Sequence, residues 1–185
     1  FKRDLRFTDH EPLFNAQNQH LPILLIYCFE HSVMNYDDSD VRHWRFVYQS
    51  LQDMQDKLKE HDVQIAIFHQ EALFVFNEIQ KKYTIASLFS HQEIGNLITY
   101  NRDLAVKEFC TQNNIVWKEY QSNGVIRKLK SRRDWEKRWK LKMQEPPKMV
   151  GESNWRFLDI DKVWLEKLKG EPLSNDITQP HKSFQ

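Results

Sequence analysis

The sequence predicts an α/β protein built on a doubly wound, five-stranded parallel sheet, flavodoxin- or Rossmann-like, with strand order 3-2-1-4-5. Three observations carry this expectation. Residues 21–29 form a nearly continuous apolar run, as expected of a strand buried on both faces. Similar short runs recur at 63–69, 84–90 and 115–120. Between them lie longer stretches with apolar residues at helical spacing and charges opposite. Strands alternating with helices imply crossover connections, and therefore a parallel sheet covered on both sides.

The elements follow in order. Residues 1–14 read as the exit of a first strand, most of which lies ahead of Phe1, then a charged turn and a helix start. Thr8-x-x-Glu11 has the form of a capping box, in which a hydroxyl and a carboxylate satisfy free amides at a helix start. After the second strand, 41–61 carries Val41, Trp44, Val47, Leu51, Met54 and Leu58 at helical spacing. A third strand at 63–69 leads into a helix at 71–82, and a fourth at 84–90 into a helix at 95–113. The strand at 115–120 closes the sheet. Trp135 and Trp139 mark a further helix, and 155–169 reads as one helix. Pro146-Pro147 and Gly151-Glu152-Ser153 break regularity, so the domain is set at 1–145 and 146–185 reads as linker.

At 185 residues the chain suits one domain with a tail. Its formal charge of +1 neither favours nor excludes a polyanionic partner. Six Trp, six Tyr and twelve Phe indicate a folded core. A mean hydropathy of −0.73 fits helices with well-solvated outer faces. Two cysteines, Cys28 and Cys110, point to a reducing, cytoplasmic setting rather than a disulfide framework. Cys28 lies within an apolar strand and reads as a small buried hydrophobe. No apolar run reaches membrane-spanning length, so no membrane partner is expected.

In an open parallel sheet, ligands bind beyond the carboxyl ends of the strands, where the strand order reverses. For 3-2-1-4-5 that crevice lies between strands one and four. The loops there are Arg3-Asp4-Leu5-Arg6 and Ser90-His91-Gln92-Glu93, with Glu30-His31-Ser32 adjoining. Arg3 and Arg6 offer planar donors to carboxylate, phosphate or enolic oxygen. Asp4 and Glu93 can orient those guanidiniums or accept from a heterocycle. Equally, Asp4 with Arg6, or Glu93 with Arg3, reads as an ion pair locking the turn. Arg102 and Asp103, mid-helix, read as a structural pair.

No catalytic group is predicted in this chain. Ser90-His91 lacks the glycines of a nucleophile elbow. The eight His show no metal spacing, so no metal site is expected. Arg3 to Asp9 contains no Gly, which disfavours a phosphate-cradling loop. Residues 127–142 hold nine Lys/Arg against Asp134 and Glu136. That stretch reads either as a phosphate-contacting helix with Trp anchors or, more plainly, as a helix packed through its Trp with solvated charges.

Phe-Lys-Arg-Asp-Leu-Arg followed by Thr-Asp-His-Glu-Pro-Leu resembles the opening motif of the photolyase/cryptochrome family. Ser90 to Asn96 with Tyr100-Asn101-Arg102-Asp103 is similar to a second family block, and Asn123 to Arg132 with the Trp135/Trp139 helix to a third. The resemblance implies an amino-terminal α/β domain preceding a helical domain that carries FAD. It implies an antenna pigment in the switch-point cleft, held by Arg3, Asp4 and Arg6 and by the loop at His91 to Glu93. Folate-binding members present an Asn-Glu pair where this chain has Ile98-Thr99, so a deazaflavin or FMN is favoured over a reduced folate. The full-length protein is then expected to be a bacterial photolyase, a carbon–carbon lyase repairing UV-damaged DNA with light. The alternatives are a signalling cryptochrome and a stand-alone flavodoxin-like binder of a small anion. The FAD site and the lesion pocket belong to the partner domain.

Overall fold

A computed structural model describes residues 1–61, 63–127, 129, 131–151 and 155–179. Among the described residues there are four strands, each shorter than its apolar run. They are β1 (Ile26–Cys28), β2 (Ala66–Phe68), β3 (Ser87–His91) and β4 (Val116–Tyr120). They form two separate parallel pairs, β1 with β2 in the register Ile26↔Ala66 and β3 with β4 in the register Ser87↔Val116. The helices are α1 (Glu11–Gln17), α2 (His31–Met34), α3 (Val41–Leu58), α4 (Ala72–Lys82), α5 (Leu97–Gln112), α6 (Trp135–Met143), α7 (Lys162–Leu168) and α8 (Asn175–Thr178).

Side-chain alternation along β1 explains the layering. Leu25, Tyr27 and Phe29 join Leu13, Leu51, Met54 and Leu58 in a core under α1 and α3. Leu24, Ile26 and Cys28 pack on the other side, with Val75 and Ile79 of α4 and Leu165 and Leu168 of α7. A third cluster joins Val106, Phe109 and Cys110 of α5 to Leu88 and Trp117 of the second pair. Phe29, Phe68, Leu51 and Val75 are fully enclosed.

Backbone parity shows what separates the two pairs. On β1, Leu25 O accepts from Ala66 N and Phe29 N donates to Phe68 O, so odd residues face β2 and even ones face away. On the even edge, the Phe1 α-amine donates to Ile26 O at 2.9 Å. On β3, Ala86 O accepts from Val116 N, so Ser87, Phe89 and His91 face away from β4. Between these two edges runs a groove of about 1050 Å³. Residues 21–28 line one side and 84–90 the other, with Leu13, Val47, Ile79 and Val106 among its floor residues.

Several sequence expectations are corrected. The first helix is capped by His10, not Thr8. The His10 ring accepts from Leu13 N at 3.1 Å, while Asp9 takes a left-handed φ of 51° that carries the chain past the Thr8 position. His31 and Ser32, expected in the loop after the second strand, instead open α2. The expected helix at 155–169 begins only at Lys162. Phe157 instead bridges Ile23 in parallel, with Ile23 N donating to Arg156 O and Leu158 N to Ile23 O. Within the expected linker, Asn175–Thr178 is helical and buries Ile177. Glu152, Ser153, Lys128, Lys130 and the tail from Pro180 lie outside the described residues.

The α6 helix is anchored as its two Trp suggest. Trp135 Nε1 donates to Gly124 O at 2.9 Å, and a Cβ on Gly124 would stand 2.2 Å from Trp139 Cδ1. Lys142 ties the helix to Glu11 of α1 at 3.2 Å.

Candidate functional site

The loop after the expected first strand and the loop after β3 meet at the carboxyl ends of the strands. Their junction is Asp4, almost wholly buried. Asp4 Oδ1 accepts from Lys2 N at 2.6 Å; Oδ2 accepts from His10 Nε2 at 2.8 Å and from His91 Nδ1 at 2.5 Å. Burial alone would raise the Asp4 pKa. The hydrogen bonds from His10 and His91 win, and hold the carboxyl far below the usual carboxylate range. Burial lowers the pKa of His10, with Asp4 opposing, so His10 is neutral at neutral pH.

Asp4, His10 and His91 bring three possible metal-ligand atoms within 4.8 Å. The hydrogen bonds argue for another role. His10 Nδ1 accepts from Leu13 N, so in the neutral ring the proton sits on Nε2, the atom a metal would need. A liganding histidine donates from its second nitrogen, whereas here that nitrogen accepts. The cluster therefore locks two loops together.

The second junction is Arg102, which bridges three acids. Its Nη1 donates to Glu30 Oε2, its Nη2 to Glu93 Oε2 at 2.9 Å, and its Nε to Asp103 Oδ1 at 2.9 Å. Glu30 ends the chain segment of β1 and also accepts from Ala72 N at the start of α4. Burial raises the Glu30 pKa and Arg102 counteracts it. Glu93 Oε1 gathers Ile94 N, Gly95 N and Arg3 Nε at 3.0, 2.7 and 3.3 Å. Asp103 completes the network through Lys2 Nζ at 2.8 Å and Arg127 Nη2 at 3.4 Å.

The six residues expected to hold a ligand thus divide. Asp4, Glu30, His91 and Glu93 are buried and turned into the two junctions. Arg3 does pair with Glu93, yet its side chain remains 65% exposed beside the groove. Arg6 bonds Thr8 O and Asp9 O at 3.1 and 3.2 Å, closing its own turn, so the expected Asp4–Arg6 pair is replaced by Asp4 with two histidines. Arg102 and Asp103 do pair, but Arg102 is also the hub, which the sequence reading missed. A signal existed: Thr99, Asp103, Val106 and Cys110 recur on the buried face of α5, placing an acid where only a partnered charge is tolerated. Gly95 has no side chain because a Cβ there would meet Arg3 Nη2 at 2.5 Å and Glu93 Oε1 at 2.8 Å.

Comparison with known proteins agrees with this architecture. The family model for DNA photolyase matches residues 1–147. The fold is similar to an archaeal photolyase from Sulfolobus tokodaii, with TM-score 0.70 and 20% identity over 92% of this chain and 41% of that one. That protein is described as containing two FAD molecules, implying a novel light-harvesting cofactor. The fold is also similar to the Synechocystis sp. PCC6803 cryptochrome, with TM-score 0.63 and 18% identity over 100% of this chain and 39% of that one. No curated protein sequence matches. The chain therefore belongs to the photolyase/cryptochrome family and corresponds to its amino-terminal α/β domain. It spans about two-fifths of the length of these two solved relatives.

Proposed function

We propose that the chain is the amino-terminal domain of a deoxyribodipyrimidine photolyase-like protein, and that it holds an antenna pigment at the carboxyl ends of its strands. The observation that carries this reading is the meeting of the Arg3–Arg6 and Ser90–Glu93 loops through Asp4 and His91, at the mouth of the groove. A pigment there would absorb light and pass excitation to FAD in the carboxy-terminal domain, which repairs damaged DNA in the full-length protein. Within this chain, Arg3 is the group free to bind and orient the pigment. Its Nε is spent on Glu93, and the missing side chain at Gly95 leaves its Nη groups room beside the groove. Asp4, His91, Glu30, Glu93 and Arg102 hold the loops that carry it.

Two finer points belong to the same reading. The groove between β1 and β3 takes a fifth, parallel strand, giving the order 3-2-1-4-5; the open even edge of β1 and odd edge of β3 support this. The pigment is a deazaflavin or FMN rather than a reduced folate, because Ile98-Thr99 offers no amide and carboxylate for a pterin. A cytoplasmic location accords with this role; none of the described helices is long and apolar enough to cross a membrane. A second reading, a signalling cryptochrome, is favoured by the match to the Synechocystis protein along this whole chain.

Fluorescence titration with FMN, a deazaflavin and a reduced folate tests the pigment reading. Saturable binding of a flavin, weakened roughly tenfold by Arg3→Ala with Arg6→Ala, is expected from loss of a charge-assisted hydrogen bond. Saturable binding of folate alone, or of none of the three, would overturn it.

A further inference from the structure

Charge is spread unevenly along this chain. Residues 127–142 carry nine Lys/Arg and two acids, a net +7, against +1 for the whole; the remaining eighteen Lys/Arg face twenty-four Asp/Glu, a net −6. Three of the nine cations are committed to carboxylates. Arg127 bonds Glu119 and Asp103, Lys140 bonds Glu136, and Lys142 bonds Glu11 and Glu145. Arg132, Arg133, Lys137 and Arg138 are exposed, and none has a carboxylate within ion-pair distance among the described residues. Four uncompensated cations within seven residues repel one another, a strain that a bound polyanion relieves.

Beside them lies an aromatic surface. The Trp135 and Trp139 rings stack with centroids 6.2 Å apart and planes 23° from parallel, and each residue stays 39% exposed. Cations that track phosphates, next to indoles on which bases stack, are the chemistry of single-strand recognition. A lipid surface fits less well. Trp135, Trp139 and Met143 share one side of α6, but both indoles are held against Gly124 and Leu141 lies on the opposite side, so the helix has little free apolar face to immerse.

We infer that α6 and the turn before it bind single-stranded nucleic acid. Arg132, Arg133, Lys137 and Arg138 hold the phosphates, and the indole pair offers the stacking surface. None of these residues lines the groove, so the surface is independent of the pigment reading.

The test is fluorescence anisotropy with a labelled oligothymidylate of about fifteen nucleotides. Four phosphate contacts give a log–log salt slope of roughly −3, so raising NaCl from about 50 to about 200 mM weakens binding roughly fiftyfold. Replacing all four cations by Gln should weaken binding at least tenfold at about 50 mM NaCl and remove most of that slope. It should leave the circular dichroism and Tm unchanged, because all four side chains are exposed. A second variant, with Lys57, Lys59, Lys107 and Lys162 changed to Gln, removes the same charge elsewhere and should bind as the parent does. Absence of binding by the parent, equal losses in both variants, tighter binding of a duplex of the same length, or tighter binding of phosphatidylserine vesicles would each overturn the inference.

Discussion

A single guanidinium, that of Arg102, is bonded to Glu30, Glu93 and Asp103, and removing it would leave buried Glu30 without a cation and take one partner each from Glu93 and Asp103. Breaking a buried pair from one side costs about 3–5 kcal/mol. Arg102→Ala should therefore show a large loss in urea midpoint, and Arg102→Lys a loss nearly as large, because a single compact ammonium nitrogen cannot reach three carboxylates that are now met by three separate guanidinium nitrogens. His10 supplies a pH signature. Its folded pKa is lowered by burial, so the unfolded chain binds the proton more readily, and stability is present above about pH 6.5 and lost as the pH falls below it. Asp4, whose folded pKa is depressed, adds a second loss below about pH 4. His10→Asn keeps a capping acceptor but cannot titrate. Urea midpoints at pH 7.5 and 5.5 should fall for the parent and stay nearly level for the variant. The residue scale was only half legible in the sequence. The ionisable residues of the two loops stood out by type, but which acid met which base depended on a local turn that brings His10 to Asp4 and on a fold that brings His91 to it from about ninety residues away, so two histidines took the place of Arg6.

At the scale of elements, apolar periodicity was a reliable guide wherever a segment buries one face against the sheet. Helices α3, α4 and α5 all lie within the stretches their spacing marked. It misled at 155–169, because Trp155 and Phe157 pack into the core beneath α3 from an extended backbone, paired through Ile23, rather than from a helix. It also overstated the strands: hydrophobicity reports burial, and residues 21–25 are largely apolar without all being paired. Docking of α6 rests on the absence of a side chain at Gly124. Gly124→Ala must push the Trp139 ring aside, and overpacking of this kind costs about 1–3 kcal/mol. Hydrogen exchange of residues 135–143 should accelerate in this variant while that of β1 and β2 stays as in the parent.

The molecule as a whole is two parallel strand pairs, each with its own helices, facing one another across a groove and joined at one end by Asp4 and Arg102. Filling that groove would bury apolar side chains and complete two ladders at once. Fusing six alternating Val and Ile residues ahead of Phe1 should raise Tm by about 2–4 °C, the scale expected from roughly 1 kcal/mol in a chain of this size; an unchanged melting curve would count against a strand in this position. The Cys28 thiol lies along the same groove, and burial pushes its pKa up to about 12. At neutral pH such a sulfur is almost entirely protonated and slow to alkylate. Its rate of reaction with iodoacetamide is therefore a chemical clock for the interior. The clock should slow when a strand closes the groove and quicken when the Arg102 clasp is cut. The parting of the two halves can thus be timed by mass spectrometry, with no engineered probe.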